Sequence, residues 1–254
     1  MHAEDAATID FEGRALPAAA VIEALAPHVS DGRIARMRRV LAHRLGSVAL
    51  GVEDLHHSHN GHACLRTAEA LGVQDAVAVE LRHAYPLDDP GGDSDALPDA
   101  EDEGPHRKIT MAAHRWISLH RVPTTAGLID WARRRDMLIC GAGPRGDRTL
   151  DALPVDRPIM VLFGNEKAGL RPSTMAACDV VYRIPMYGFC ESFNVSVSVG
   201  MTLAAHTARV RARLATQDRT GDLDPDRQRI LLAQWLLADH RAAPAIVRRK
   251  LGLG

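Results

Sequence analysis

The chain has 254 residues, 46% hydrophobic and 25% charged, with a formal net charge of -1. That length buries a sizeable core in one domain with appended helices, and the composition is ordinary for a soluble globular protein. No apolar run approaches the roughly 20 residues that span a bilayer, and the amino terminus lacks a basic start followed by an apolar core. A cytoplasmic protein with neither membrane span nor signal peptide is expected. Its cysteines, Cys64, Cys140, Cys178 and Cys190, have no CxxC spacing and read as reduced structural thiols.

In chain order, residues 1–16 look weakly ordered, and 18–45 reads as helical with a break at Pro27. The apolar run 47–52 suits a buried strand. Residues 61–71 read as a helix with Asn60 as its N-cap, closed by Gly72 where a left-handed cap is common. Residues 76–81 are the next strand. The stretch 88–105, rich in Pro, Gly, Asp and Glu, reads as a mobile acidic surface loop. Then follow a strand at 116–122, a helix at 125–135, and strands at 137–141, 159–163 and 180–184. Residues 193–214 carry Val195, Val199, Leu203, Val210 and Leu214 at helical spacing. Asp224-Pro225 looks like an N-cap and first-turn proline for a helix over 227–237, and a short basic tail ends the chain. Strands alternating with helices predict an α/β fold with a mostly parallel sheet.

The near-neutral total hides two basic ends. Arg33, Arg36, Arg38, Arg39 and Arg44 cluster early, and Arg241, Arg248, Arg249 and Lys250 cluster late, while 88–103 is acidic without Lys or Arg. Each basic cluster reads either as a phosphate contact or as a solvated helix face.

Three segments carry chemistry. In Leu162-Phe163-Gly164-Asn165-Glu166-Lys167-Ala168-Gly169-Leu170 a buried strand ends between glycines. Open α/β sheets bind ligands beyond such strand ends, though alone this pattern also fits a plain turn. It lacks the GKS or GKT ending of a phosphate loop. In Ile184-Pro185-Met186-Tyr187-Gly188-Phe189-Cys190-Glu191-Ser192-Phe193-Asn194-Val195-Ser196 an apolar loop leads to Ser192 and Asn194 at a helix start, as N-caps or as groups facing a reaction centre. In His59-Asn60-Gly61-His62-Ala63-Cys64-Leu65-Arg66, Arg66 lies in the second turn, within reach of a phosphate or carboxylate near the helix start. His56, His57, His59 and His62 lack a paired Cys or acidic ligand pattern, so no metal site is expected.

In this order, the three segments resemble the three motifs of the SPOUT superfamily, in its SpoU/TrmH branch of RNA 2'-O-methyltransferases. Asn60 and Arg66 match the first, Gly164-Asn165-Glu166 with Gly169 the second, and Ile184-Pro185-Met186 with Ser192-Phe193-Asn194-Val195-Ser196 the third. The resemblance runs from about residue 35 to the end, and the Leu223-Asp224-Pro225 helix is similar to that of tRNA-specific members. The 88–105 insert and Glu191, where a neutral Gln is common, depart from the pattern.

The resemblance implies a SPOUT-type domain over 46–215 whose carboxyl-terminal part forms a deep trefoil knot. A helical extension over 1–45 and a terminal helix with basic tail over 216–254 flank it. It implies a homodimer that binds S-adenosylmethionine around Gly141, Gly164, Asn165, Glu166, Gly169, Ile184, Met186 and Phe193. Gly141 stands where related proteins often have Thr, so a side-chain contact is lost there. Arg66, with Asn60, Glu166, Ser192 and Asn194, is the implied catalytic set, acting on an RNA ribose 2'-hydroxyl. The tRNA D-loop guanosine at position 18 is the first expected substrate and ribosomal RNA the second. An RNA-binding module without catalysis is the reading from another class, and the joint presence of Arg66 and Asn194 argues against it.

Overall fold

The computed structural model describes residues 7–82, 85 and 115–253. The predicted acidic loop at 88–105 lies outside the described residues. In chain order the elements are β1 (Thr8–Phe11), β2 (Arg14–Pro17), α1 (Ala18–Leu25), α2 (Asp31–Ala42), β3 (Leu45–Glu53), α3 (Ser58–Ala70), β4 (Val73–Val79) and β5 (Ser118–Val122). There follow α4 (Thr125–Arg133), β6 (Leu138–Ala142), β7 (Arg148–Thr149), β8 (Ile159–Phe163), α5 (Pro172–Ala176), β9 (Val180–Arg183), α6 (Val195–Ala215), α7 (Pro225–Asp239) and α8 (Ala243–Leu251).

The chain divides into two compact units. The larger, built on 45–82 and 115–220, holds a seven-stranded sheet in the order β5-β4-β3-β8-β6-β9-β7, with every pairing parallel. Strands β4 and β8 are buried at every residue; β8 accordingly reads as a continuous apolar run, and in β4 the buried Gln74 and Asp75 are hydrogen-bonded to Ser118 and His120. One face of the sheet packs on Cys64, Leu65 and Ala68 of α3 and on Val199, Leu203, Val210 and Leu214 of α6. The other packs on Leu128, Trp131 and Ala132 of α4.

The chain runs from β3 outward through β4 and β5, then returns to place β8 on the opposite side of β3. The strand order therefore reverses between β3 and β8, and the crevice beyond their carboxyl ends is where open sheets take ligands. Further along, the turn after β6 runs hard against β9: Gly143 donates its N–H to Tyr182 O at 2.9 Å, and Arg183 Nη1 donates to Gly146 O at 2.5 Å. A Cβ on Gly146 would lie 2.3 Å from the Tyr182 carbonyl carbon, so only glycine passes there.

The smaller unit joins 7–44 to 221–253. Its first element corrects the expectation of a weakly ordered start. Residues 8–17 form an antiparallel hairpin that buries Ile9, Phe11 and Leu16. The hairpin turns at Glu12-Gly13, both with positive φ. The basic tail is likewise a helix, α8, burying Ala243, Ile246 and Val247 and ending on left-handed Gly252. Several of the clustered arginines serve structure. Arg44 is buried with its guanidinium over the Trp235 ring, Arg33 Nη2 meets Asp239 Oδ1 at 2.6 Å, and Arg248 pairs with Glu12. Arg36, Arg38, Arg39, Arg241, Arg249 and Lys250 stay exposed. Asp224 caps α7 through Arg227 N at 2.8 Å, with Pro225 at its first position. Among the described residues no helix is long and apolar enough to cross a membrane.

His206 sits in the middle of α6, 1% exposed, with its Nδ1 buried and unpartnered. Burial, with the Arg209 charge adding to it, pushes its pKa down to about 4. The imidazole is thus neutral in the folded protein at pH 5–7, whereas the unfolded chain takes up its proton near pH 6.5. This contribution to stability is complete above pH 6.5 and is lost as pH falls toward 4. Urea denaturation is expected to show stability falling between pH 7 and pH 5, with His206 supplying roughly 2 kcal/mol of the fall. His206→Leu should flatten that interval by the same amount, and an unchanged slope contradicts the assignment.

Candidate active site at the ends of strands 3 and 8

Asn60 does not cap α3, as the sequence suggested; the helix starts earlier, with His57 at the N-cap making no side-chain bond. The freed Asn60 side chain, 5% exposed, instead joins two distant segments. Its Nδ2 donates to Glu166 Oε1 at 3.0 Å, and its Oδ1 accepts from Asn194 Nδ2 at 3.0 Å. Asn194 is the N-cap of α6, with its Oδ1 accepting from Ser196 N at 2.8 Å and Ser196 Oγ at 2.6 Å. Glu166 also accepts the N–H of His56 at 3.1 Å and of His57 at 3.0 Å. A carboxylate from the loop after β8 thereby serves the amino end of α3, where negative charge is favoured. Partial burial alone would raise the Glu166 pKa, but the bonds from Asn60, His57, His56 and its own backbone outweigh that and hold it below the usual carboxylate range.

The polarity of this relay is forced. An ionised carboxylate only accepts, so Asn60 must turn its amide nitrogen to Glu166. Its oxygen then faces Asn194, whose nitrogen must donate, leaving the Asn194 oxygen for the start of α6. The histidine-rich stretch contributes through its main chain. Among the described residues no group of three or more His, Cys, Asp or Glu side chains is placed to hold a metal ion.

The loop after β8 is held closed by Asn165. Its backbone N–H donates to Gly169 O at 3.1 Å and its carbonyl accepts from Gly169 N at 2.8 Å. Its side chain accepts from Lys167 N and Ala168 N and donates to Asp54 O at 2.8 Å. A Cβ on Gly164 would lie 2.0 Å from the Gly169 carbonyl carbon, so only glycine fits there, and Gly169 has φ +67°, the left-handed region glycine favours, with open space where a side chain would stand. At the end of β6, a Cβ on Gly141 would lie 2.6 Å from Cys178 Sγ.

A cavity of about 670 Å³, within the range of small-ligand sites, opens beside this loop. Ala142, Arg145, Arg148, Gly169, Met175 and Val181 are among its lining. Of the residues expected around a cofactor, Gly169 lines it; Ile184 and Met186 are half-buried on the segment leaving β9, and Phe193 is exposed before α6. Ser192 is exposed in the same segment, and Arg66 is exposed on α3. The structure therefore brings Asn60, Glu166 and Asn194 into direct contact and leaves Arg66 and Ser192 at the surface. The turn with Arg145 and Arg148 escaped the sequence reading, although Gly143-Pro144 and Gly146 marked a tight turn.

Residues 96–204 match the model of the SpoU rRNA Methylase family. The chain is 30% identical over 209 residues to the tRNA (guanosine(18)-2'-O)-methyltransferase of Thermus thermophilus, covering 82% of this chain and 97% of that one. Among solved structures, the TrmH/SpoU tRNA modifying enzyme of A. aeolicus superposes with a TM-score of 0.66 at 23% identity, over 82% of this chain and 97% of the other. The SpoU methyltransferase AviRb from Streptomyces viridochromogenes in complex with the cofactor AdoMet superposes at 0.52 and 22% identity, over 66% of this chain and 58% of its own. These two share the α/β fold with its mostly parallel sheet. With near-complete coverage of a relative at 30% identity, the chain belongs to the SpoU methylase family.

Proposed function

We propose that this protein transfers a methyl group from S-adenosylmethionine to a ribose 2'-oxygen of RNA, at the D-loop guanosine 18 of tRNA. The observation that carries the reading is the Glu166–Asn60–Asn194 relay, in which all three family motifs meet at one sheet crevice. RNA as the substrate follows from the chemistry, since DNA has no 2'-hydroxyl. The preference for tRNA rests on the relative of that specificity, matched over 97% of its length.

The residues present fit the cofactor. The cavity has the volume for it, Gly169 on its wall has open space where a side chain would stand, and Ala142 at the end of β6 lines it too. Gly141, Gly164, Asn165, Glu166, Gly169, Ile184, Met186 and Phe193 form the proposed binding set. When bound, the sulfonium supplies an activated methyl group, so no metal is called on. The protein's share is alignment and help with the hydroxyl proton. A guanidinium holds its proton throughout the physiological pH range and is a poor base. Arg66 therefore anchors an RNA phosphate and polarises the hydroxyl, while Asn60, Glu166, Ser192 and Asn194 shape the site around it.

The finer architecture belongs to the same proposal. The chain reads as a SPOUT domain over 46–215 with an amino-terminal extension over 1–45 and a terminal segment over 216–254. A trefoil knot in its carboxyl-terminal part is supported by the tight passage of Gly143–Gly146 against Tyr182 and Arg183. A homodimer is supported by Val197 and Met201, exposed one turn apart on α6, and by exposed Tyr187, Phe189 and Phe193 in the segment before it. Exposed Arg36, Arg38, Arg39, Arg249 and Lys250 offer phosphate contacts to RNA. The cytoplasm is the proposed compartment.

Ribose-methylation mapping of RNA from cells with and without the gene tests the function. Loss of methylation at the tRNA D-loop guanosine is expected. An unchanged D-loop with an altered ribosomal RNA site contradicts the substrate, and no change in either contradicts the activity. Within the purified protein, Arg66→Ala should keep cofactor affinity within about threefold while methyl transfer falls on the order of a hundredfold or more. Near-normal turnover removes Arg66 from the reaction.

A further inference from the structure

Glu53 ends β3 and is 1% exposed. A carboxylate is buried only where donors satisfy it. Its Oε1 accepts the hydroxyls of Thr125 at 2.8 Å and Thr174 at 2.5 Å, and its Oε2 accepts Arg171 N at 3.1 Å. Asp54, next in sequence and at φ +56°, accepts Asn165 Nδ2 on its carbonyl at 2.8 Å. Its own carboxylate is held by Arg82 N at 2.8 Å and Arg82 Nε at 2.7 Å. Two consecutive residues thus hold both ends of the loop after β8, the entry at Asn165 through Asp54 and the exit at Arg171 through Glu53.

Stability of the fold does not by itself ask for a charge here, because an apolar side chain of the same shape avoids the desolvation cost of a buried carboxylate. The donor that no rotation can satisfy otherwise is the Arg171 N–H, a fixed main-chain group. It follows directly on Gly169 and Leu170, and α5 with Met175 begins just after it; all three of those residues line the cavity. We propose that Glu53 is a positioning residue for cofactor binding, its carboxylate fixing the exit of the 165–171 loop so that Gly169, Leu170 and Met175 keep the cavity wall in place. This inference rests on the reading of that loop as part of an S-adenosylmethionine site.

Calorimetry and steady-state kinetics on the full chain test it with Glu53→Met, which keeps the shape and removes the acceptors. The dissociation constants for S-adenosylmethionine and S-adenosylhomocysteine should rise about tenfold, the effect of one lost hydrogen bond of about 1.4 kcal/mol. Turnover at saturating cofactor and the KM for RNA should stay within about threefold. Amides of 165–171 should exchange faster with solvent while those of β8 do not. Glu53→Gln should rescue binding to within about threefold of wild type, since its carbonyl oxygen can face Arg171 N–H while both threonine hydroxyls rotate. Thr174→Val removes one donor and should weaken cofactor binding selectively, about threefold; it decides the matter where Glu53→Met does not fold. Unchanged cofactor binding in Glu53→Met, or in Thr174→Val where that variant decides, overturns the proposal. So does a parallel fall of turnover, RNA affinity and thermal stability. A wild-type protein that binds no S-adenosylmethionine overturns the reading underneath it, an outcome distinct from wild-type binding with insensitive variants.

Discussion

An ionised carboxylate has no proton to give, and the site depends on that restriction at Glu166. Because Glu166 accepts from His56, His57 and Asn60, the Asn60 amide has one orientation, and so in turn has the Asn194 amide. One charge thereby sets the direction of a chain of hydrogen bonds from the loop after β8, through the start of α3, to the start of α6. Neutral glutamine at 166 would offer both donor and acceptor, and the relay would lose its unique sense. The hydrogen bonds that hold Glu166 below the usual carboxylate range are the same ones that keep this orientation fixed near neutral pH.

Topology brings these segments within reach. Asn60 lies 106 residues from Glu166 and 134 from Asn194, yet β3 and β8 are neighbours, paired from Val48 with Ile159 to Val52 with Phe163. Whatever follows either strand must share the crevice beyond their ends. The segment after β3 carries most of the anchors: Glu53, Asp54, His56, His57 and Asn60 all hold some part of 165–171. The same segment leads into α3, which carries Arg66. The arginine proposed to face RNA and the loop proposed to face the cofactor are therefore held by one stretch of chain.

Much of the fold was legible because it rests on local pattern. Buried parallel strands show as apolar runs, the 159–163 strand with its bounds unchanged, and Asp224-Pro225 announced α7 through capping chemistry. The hairpin at 8–17 was missed because four-residue strands give little periodicity, although Ile9, Phe11 and Leu16 alternate as a half-buried hairpin should. Helix α8 was hidden by its charge, since Arg248, Arg249 and Lys250 mask the apolar face of Ala243, Ile246 and Val247. Within the site, the residue types were legible through resemblance, whereas the contacts were not. Asn60 looked like a cap and proved to be a bridge, and Glu53, just past the predicted 47–52 strand, belonged to none of the three motifs. Hydrogen bonds spanning 106 to 134 residues leave no trace in local spacing.

Joined by their hydrogen bond, Asn60 and Asn194 act as one unit. A double-mutant cycle on methyl transfer measures this most directly, comparing kcat/KM for wild type, Asn60→Ala, Asn194→Ala and the double variant. Residues that share a hydrogen-bond network couple, so the double variant should be less impaired than the product of the single losses, by about fivefold or roughly 1 kcal/mol. Strict additivity would contradict the relay and leave Asn60 as a partner of Glu166 alone and Asn194 as the N-cap of α6.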